Sequence, residues 1–119
     1  MTAKAQRDYY AMPPAAEALA ARVDIIADSI PKGSVATYGQ VAAAAGYPFY
    51  HRAVARFLRT APTSQLPWQR VIGAGGEIKL RQEAGAEQRL RLRMEGIAFR
   101  GRLVDIEKHQ HTFRTWELD

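Results

Sequence analysis

The sequence predicts a mainly α fold with a small β wing, a winged helix-turn-helix domain, and three observations carry that prediction. Apolar residues recur at helical spacing in three successive stretches, Leu19 to Ile30, Tyr38 to Ala45 and Phe49 to Arg59, the last two separated only by Gly46-Tyr47-Pro48. Two short runs, Arg70 to Ile72 and Glu77 to Leu80, flank the turn Gly73-Ala74-Gly75-Gly76 and look like paired strands. A chain of 119 residues with 47% hydrophobic content and no cysteine can bury one core without metal or disulfide staples.

Each element has its own local reason. Residues 1–12 hold Lys4, Arg7 and Asp8 without a following apolar region, and a flexible N-terminal tail is expected there, ahead of a single domain over 13–119. Pro13 and Pro14 are tolerated in a helix's first turn, so a first helix is predicted from about Ala15 to Ser29, with Leu19, Val23, Ile26 and Ile30 on its buried side. Pro31 and Gly33 stop it. Ser34 to Thr37 is extended, Tyr38 to Ala45 forms a short helix closed by Gly46, and Phe49 to Arg59 forms a third. That helix directs Val54, Phe57 and Leu58 inward and Arg52, Arg56 and Arg59 outward. Ala61 to Gln65 is a loop leading into Leu66-Pro67-Trp68. A last helix is predicted over Ala84 to Glu95, ended by Gly96, with a strand at Leu103 to Ile106 and then a polar stretch carrying Phe113 and Trp116. His109 and His111 alternate in that stretch without a ligand cluster, which predicts solvated histidines and no metal site. The glycine turn lacks the Lys-Ser/Thr pair and following helix of a phosphate loop.

Charge narrows the partner class. The formal net charge is +5 and 13 of the 17 basic residues are arginine, whose planar fork suits phosphates and stacks on bases. From Phe49 to Arg93 nine basic residues face three acidic ones, a net +6 that leaves −1 for the remainder. Nucleic acid is the expected partner, although Arg89, Arg91 and Arg93 can equally form a solvated helix face paired with Glu83 and Glu87. No apolar run has the length of a bilayer span, so a soluble cytoplasmic protein with no membrane partner is expected.

The most specific signal is Pro67-Trp68-Gln69-Arg70-Val71, which resembles the Pro-Cys-His-Arg-Val active-site segment of the O6-alkylguanine-DNA alkyltransferases with nucleophile and base both replaced. An indole offers no nucleophilic lone pair, and the Gln69 amide cannot take up a proton near neutral pH. Four further segments match in order: Ile30 to Ala42, Arg52-Ala53-Val54, Gly75-Gly76-Glu77-Ile78, and Glu87-Gln88-Arg89-Leu90 through Glu95-Gly96. On these residues the chain, over roughly 19–97, resembles the alkyltransferase-like proteins. The resemblance implies the fold of the transferases' C-terminal DNA-binding domain and DNA binding without alkyl transfer.

Reaching O6 of a guanine requires turning the base out of the duplex. In the family that this chain resembles, an arginine finger fills the vacated stack, and Arg52 matches it; a surface helix arginine is the bland alternative. Tyr38, after Thr37, matches the tyrosine that crowds the target phosphate, and otherwise reads as a tyrosine packing at a helix start. The family's recognition helix enters the minor groove, where small Ala53 and Ala55 permit close approach; His51 contacts phosphate or simply begins the helix, and Arg56 faces DNA. Trp68 is expected to wall the lesion pocket with Tyr38, Arg81 and Val71, and Arg81 matches an arginine that the alkyltransferase-like proteins turn toward the flipped base. Pro67, Gln69, Arg70 and Glu95 are supports: Arg70 is expected to tie the turn to backbone carbonyls, and Glu95 to remain as a packing and hydrogen-bonding residue.

A non-enzymatic sensor of O6-alkylguanine in double-stranded DNA is expected, a monomer without cofactor, and the resemblance implies that its bound complex flags lesions for nucleotide excision repair proteins. A sequence-specific winged-helix regulator is the alternative, but Phe49 to Arg59 carries no Asn or Gln to read base edges. An enzyme acting on the flipped base lacks an acid-base pair or metal cluster near Trp68.

Overall fold

In the computed structural model, which describes residues 16–60 and 65–113, the first apolar run forms α1 (Ala16–Asp28). The expected tail 1–12, Pro13, Pro14, the loop 61–64 and Trp116 lie outside the described residues. Leu19, Val23 and Ile26 face inward from α1 and join Ile30, Val41, Val54, Leu58 and Val71 in one buried cluster. The helices α2 (Tyr38–Ala44) and α3 (His51–Thr60) complete it. They form the predicted helix-turn-helix, and the fold is mainly helical with a small sheet.

The turn between α2 and α3 is set by Gly46, whose φ of +89 lies in the left-handed region that terminates helices. Its N–H donates to the Ala43 carbonyl at 2.9 Å, and the Tyr47 N–H to that of Ala42 at 2.9 Å. Arg22 of α1 reaches across, donating from Nη1 to the Ala45 carbonyl at 3.0 Å while its guanidinium carbon lies 5.5 Å from the Tyr47 ring centroid. One side chain thus satisfies a helix-end carbonyl and joins α1 to the turn. In α3, Val54 and Leu58 are buried, whereas His51, Arg52, Arg56 and Arg59 are exposed.

The small sheet is paired differently from the expectation. β2 (Val71–Ile72) runs parallel to β1 (Ala36–Thr37), with Ala36 opposite Val71 and Thr37 opposite Ile72, rather than against residues 77–80. Arg70 belongs to a 3-10 turn over Trp68–Arg70, and residues 77–80 form no strand. The reason lies in burial: Val71 and Ile72 are both fully buried, as in a strand covered on two faces, while a wing hairpin would expose alternate residues. Gly75 and Gly76, at φ +72 and +91, curl the following residues into a second 3-10 turn, Ala74–Gly76, closed by the Gly73 N–H donating to the Glu77 carbonyl at 2.8 Å. A β carbon on Gly76 would run into the backbone of Val104.

A second cluster, Val35, Ile72, Ile78, Leu92, Ile97 and Val104, lies beneath α4 (Gln82–Met94) and the antiparallel pair β3 (Phe99–Arg100) and β4 (Leu103–Val104). The expected strand Leu103 to Ile106 is cut at Asp105, whose carboxylate accepts from the Lys108 N–H and begins α5 (Ile106–His109). His109 is not the solvated residue expected. Its Nε2 accepts from the Ala98 N–H at 2.9 Å, and its Nδ1 lies 3.0 Å from the Gly33 carbonyl. One acceptor and one donor require a neutral ring with the proton on Nδ1. His111 is also half-buried, its ring edge-on to Phe113 at 4.8 Å. The backbone alongside is held too, Val35 N–H to the His109 carbonyl at 2.9 Å and His111 N–H to that of Val35 at 2.8 Å. Replacing His109 by leucine strips partners from Ala98 and Gly33 and is expected to cost about 1–3 kcal/mol in urea unfolding. An unchanged midpoint would show that the ring does not clamp these segments.

Candidate nucleic-acid interface

The segment Thr37-Tyr38-Gly39-Gln40 fixes where α2 begins. Thr37 Oγ1 accepts from the Gln40 N–H at 3.1 Å, and Gln40 Oε1 accepts from the Thr37 N–H at 3.0 Å, a reciprocal cap that holds Tyr38 at the first helical position. Gln40 Nε2 also donates to the His111 carbonyl at 3.1 Å, so the C-terminal segment braces the same turn. Tyr38 is half-buried against the first cluster and lines a cavity of about 330 Å³ with His51, Arg52, Ala55 and Arg59 from α3 and with Lys79 and Leu80. Burial pushes the Tyr38 phenol above its ordinary pKa, and the Arg59 charge only partly opposes it. The hydroxyl therefore keeps its proton and can donate to an anion.

Tyr38, His51 and Arg52 are thus brought together. Arg52, Arg56 and Arg59 share one side of α3, and no acidic side chain pairs with them among the described residues. Ala53 is half-buried and packs on the first cluster, and Ala55, also half-buried, lines the cavity. The helical period explains it: Ala53 precedes buried Val54 and lies four residues before half-buried Phe57.

The motif turn is a packed and paired structure. Pro67 precedes the 3-10 turn, and Trp68 lies half-buried against the first cluster with the Arg91 guanidinium carbon 5.3 Å from its ring. Arg70 donates from Nη1 to the Ile30 carbonyl at 2.7 Å, as expected of a backbone tie. Its Nε and Nη2, however, fork onto Glu95 Oε1 and Oε2 at 2.8 and 3.1 Å. Gln69 is buried and donates from Nε2 to Glu95 Oε2 at 2.7 Å. For Glu95, burial disfavours the charged form, but hydrogen bonds from Arg70 and Gln69 and the charges of Arg70 and Lys32 outweigh it, leaving the pKa below its ordinary value. Glu95 is a carboxylate held by donors from two side chains, Arg70 and Gln69.

Gln88 is a further support, beyond those that the motif predicts. It is 1% exposed and donates from Nε2 to the carbonyls of Gln69 at 3.1 Å and Val71 at 3.0 Å, fastening α4 to the motif turn. Its sequence signal is an amide four residues before buried Leu92, on the buried side of α4. Val71, expected in the lesion pocket, is fully buried in β2 and offers no surface to a base. Arg81 is exposed immediately before α4, next to Leu80, and neither it nor Trp68 lines the cavity that holds Tyr38. Among the described residues no group of three or more His, Cys, Asp or Glu could hold a metal ion.

A short helix that presents arginines beside a capped tyrosine, with a proline-led turn tied beneath it, defines a DNA-binding domain of the alkyltransferase kind. Residues 18–97 match the family described as the 6-O-methylguanine DNA methyltransferase DNA-binding domain, and the chain belongs to that family. It is similar to a DNA base-flipping protein of Vibrio parahaemolyticus, 48% identical over 69 residues that cover 57% of this chain and 69% of that one. Alkyltransferase-like protein 1 of Schizosaccharomyces pombe is 40% identical over 67 residues, 56% of this chain and 62% of its own. Among solved structures, S. pombe Atl1 in complex with damaged DNA containing O6-carboxymethylguanine superposes with a TM-score of 0.71 at 27% identity, over 86% of this chain and all of that one. Mycobacterium tuberculosis OGT in complex with DNA gives 0.60 at 31% identity, over 64% and 48%.

Proposed function

We propose that this protein is a non-enzymatic sensor that binds O6-alkylguanine in double-stranded DNA through the minor groove, turns the nucleotide out and leaves the alkyl group in place. The observation that carries this is the motif turn, where Trp68 and Gln69 stand in place of thiol and base while Arg70, Gln88 and Glu95 keep the turn rigid. In this reading Arg52 fills the vacated stack and Tyr38 presses on the phosphate, with Thr37, His51 and Arg56 along the backbone. Trp68 and Arg81 receive the base. Similarity to DNA base-flipping proteins and to a protein bound to O6-carboxymethylguanine DNA supports the reading. The complex, formed by a monomer in the cytoplasm on nucleoid DNA, flags the lesion for nucleotide excision repair proteins. Equilibrium titration of an O6-methylguanine duplex against the unmodified duplex tests the proposal, with mass analysis of protein and DNA afterwards. The expected result is about tenfold or greater preference, some 1.4 kcal/mol, with both masses unchanged. Equal affinities would sink the sensor, and an alkylated protein would sink the non-enzymatic assignment.

A further inference from the structure

Lys79 reaches the cavity of Tyr38 and Arg52 from a different part of the chain, the stretch that follows the glycine turn. Its position is built. A β carbon on Gly73 would stand 2.9 Å from both Cγ and Cε of Lys79, so the lysine stem lies against the bare face of that glycine. The Gly73 N–H donates to the Glu77 carbonyl at 2.8 Å, and Lys79 Nζ pairs with Glu77 Oε2 at 3.1 Å. The two side chains are 56% and 55% exposed, so the pair is weak and Nζ can exchange that carboxylate for another anion. The lining of the cavity holds Arg52, Arg59, Lys79 and the protonated Tyr38 hydroxyl, with no acidic side chain in it.

We propose that Lys79, together with Arg59, forms a seat for one phosphodiester, that of the nucleotide turned out of the duplex. A phosphate is the anion that an ammonium point charge, a guanidinium fork and a phenol donor can share. The identity of that phosphate rests on the sensor reading above, because Tyr38, the residue assigned to rotation, borders the same cavity. The seat joins the recognition helix to the glycine turn through one ligand.

The test measures affinity against salt concentration for Lys79→Ala, Lys79→Arg and, as a charge-matched control outside the cavity, Lys108→Ala, on O6-methylguanine and unmodified duplexes. Lys79→Ala is expected to reduce the slope of log affinity against log salt by about one and to weaken lesion binding by up to about tenfold at 0.1 M salt. The loss is larger on the lesion duplex than on the unmodified one. Lys79→Arg keeps the slope and Lys108→Ala leaves it unchanged. An unaltered slope for Lys79→Ala, or equal losses on both duplexes, overturns the seat. Such a result with a wild-type protein that still prefers the lesion removes the seat alone, whereas a wild-type protein without that preference removes the sensor reading.

Discussion

Arg52→Ala is expected to lower affinity for an O6-methylguanine duplex by about 10- to 100-fold while leaving the protein's melting behaviour unchanged. The magnitude comes from the chemistry of the side chain: hydrogen bonds from a charged donor contribute about 1.5–3 kcal/mol, and each 1.4 kcal/mol is tenfold in affinity. The neutrality toward folding comes from its position. Arg52 is the second residue of α3, exposed, and without an acidic partner among the described residues, so truncation removes nothing that the free protein uses. Unmodified duplex should lose less, because a base left in the stack leaves no vacancy for a guanidinium. The lesion preference therefore falls toward unity. Arg52→Lys separates charge from shape: it keeps the phosphate attraction but lacks the planar fork, and an intermediate loss is expected. Anisotropy titrations on both duplexes, with a thermal melt of each variant, check the prediction. Retained preference in Arg52→Ala would assign the vacated stack to another residue.

The helices were legible because their information is local. Leu19, Val23, Ile26 and Ile30 repeat within one element, and Val54 and Leu58 against Arg52, Arg56 and Arg59 show one helix with two unlike sides. The motif turn was legible through its order of residues. What escaped was non-local: strands of two residues have no period, so nothing near Val71 indicates that its partner is Ala36, thirty-five positions earlier. The role of His109 is non-local in the same way, since it meets Gly33 across a separation of 76 residues. Val71 erred in the other direction. Motif membership placed it at the site, while it is buried in the first cluster. The arrangement of Lys79 against Gly73 has no sequence signature, because it depends on the path of a turn that no local pattern describes.

The second large effect is on stability and concerns Glu95. Among the described residues, Glu95→Ala leaves the Arg70 guanidinium with only the Ile30 carbonyl and leaves the Gln69 Nε2 without its acceptor, beneath the turn that carries Trp68. The pair is mostly shielded, with side-chain exposures of 17% and 11%. Breaking a buried pair costs about 3–5 kcal/mol, and partial access of water reduces that to an expected loss of about 2–4 kcal/mol in urea unfolding. At this size each kcal/mol lowers the melting temperature by roughly 3–5 °C. The pH dependence has a definite sign. Because the folded-state pKa of Glu95 is lowered, its contribution is complete above the ordinary carboxylate pKa and is lost as pH falls through the folded value. The gap between wild type and Glu95→Ala should therefore be widest near neutral pH and narrow in acid. Glu95→Gln keeps an acceptor for one donor without the charge and should fall between the two. A purely functional role for Glu95 would predict the opposite pattern, normal stability with altered lesion binding. Stability lost first, with lesion binding weakened only as the turn loosens, would mark the network of Gln69, Arg70 and Glu95 as a brace that holds Trp68 in place.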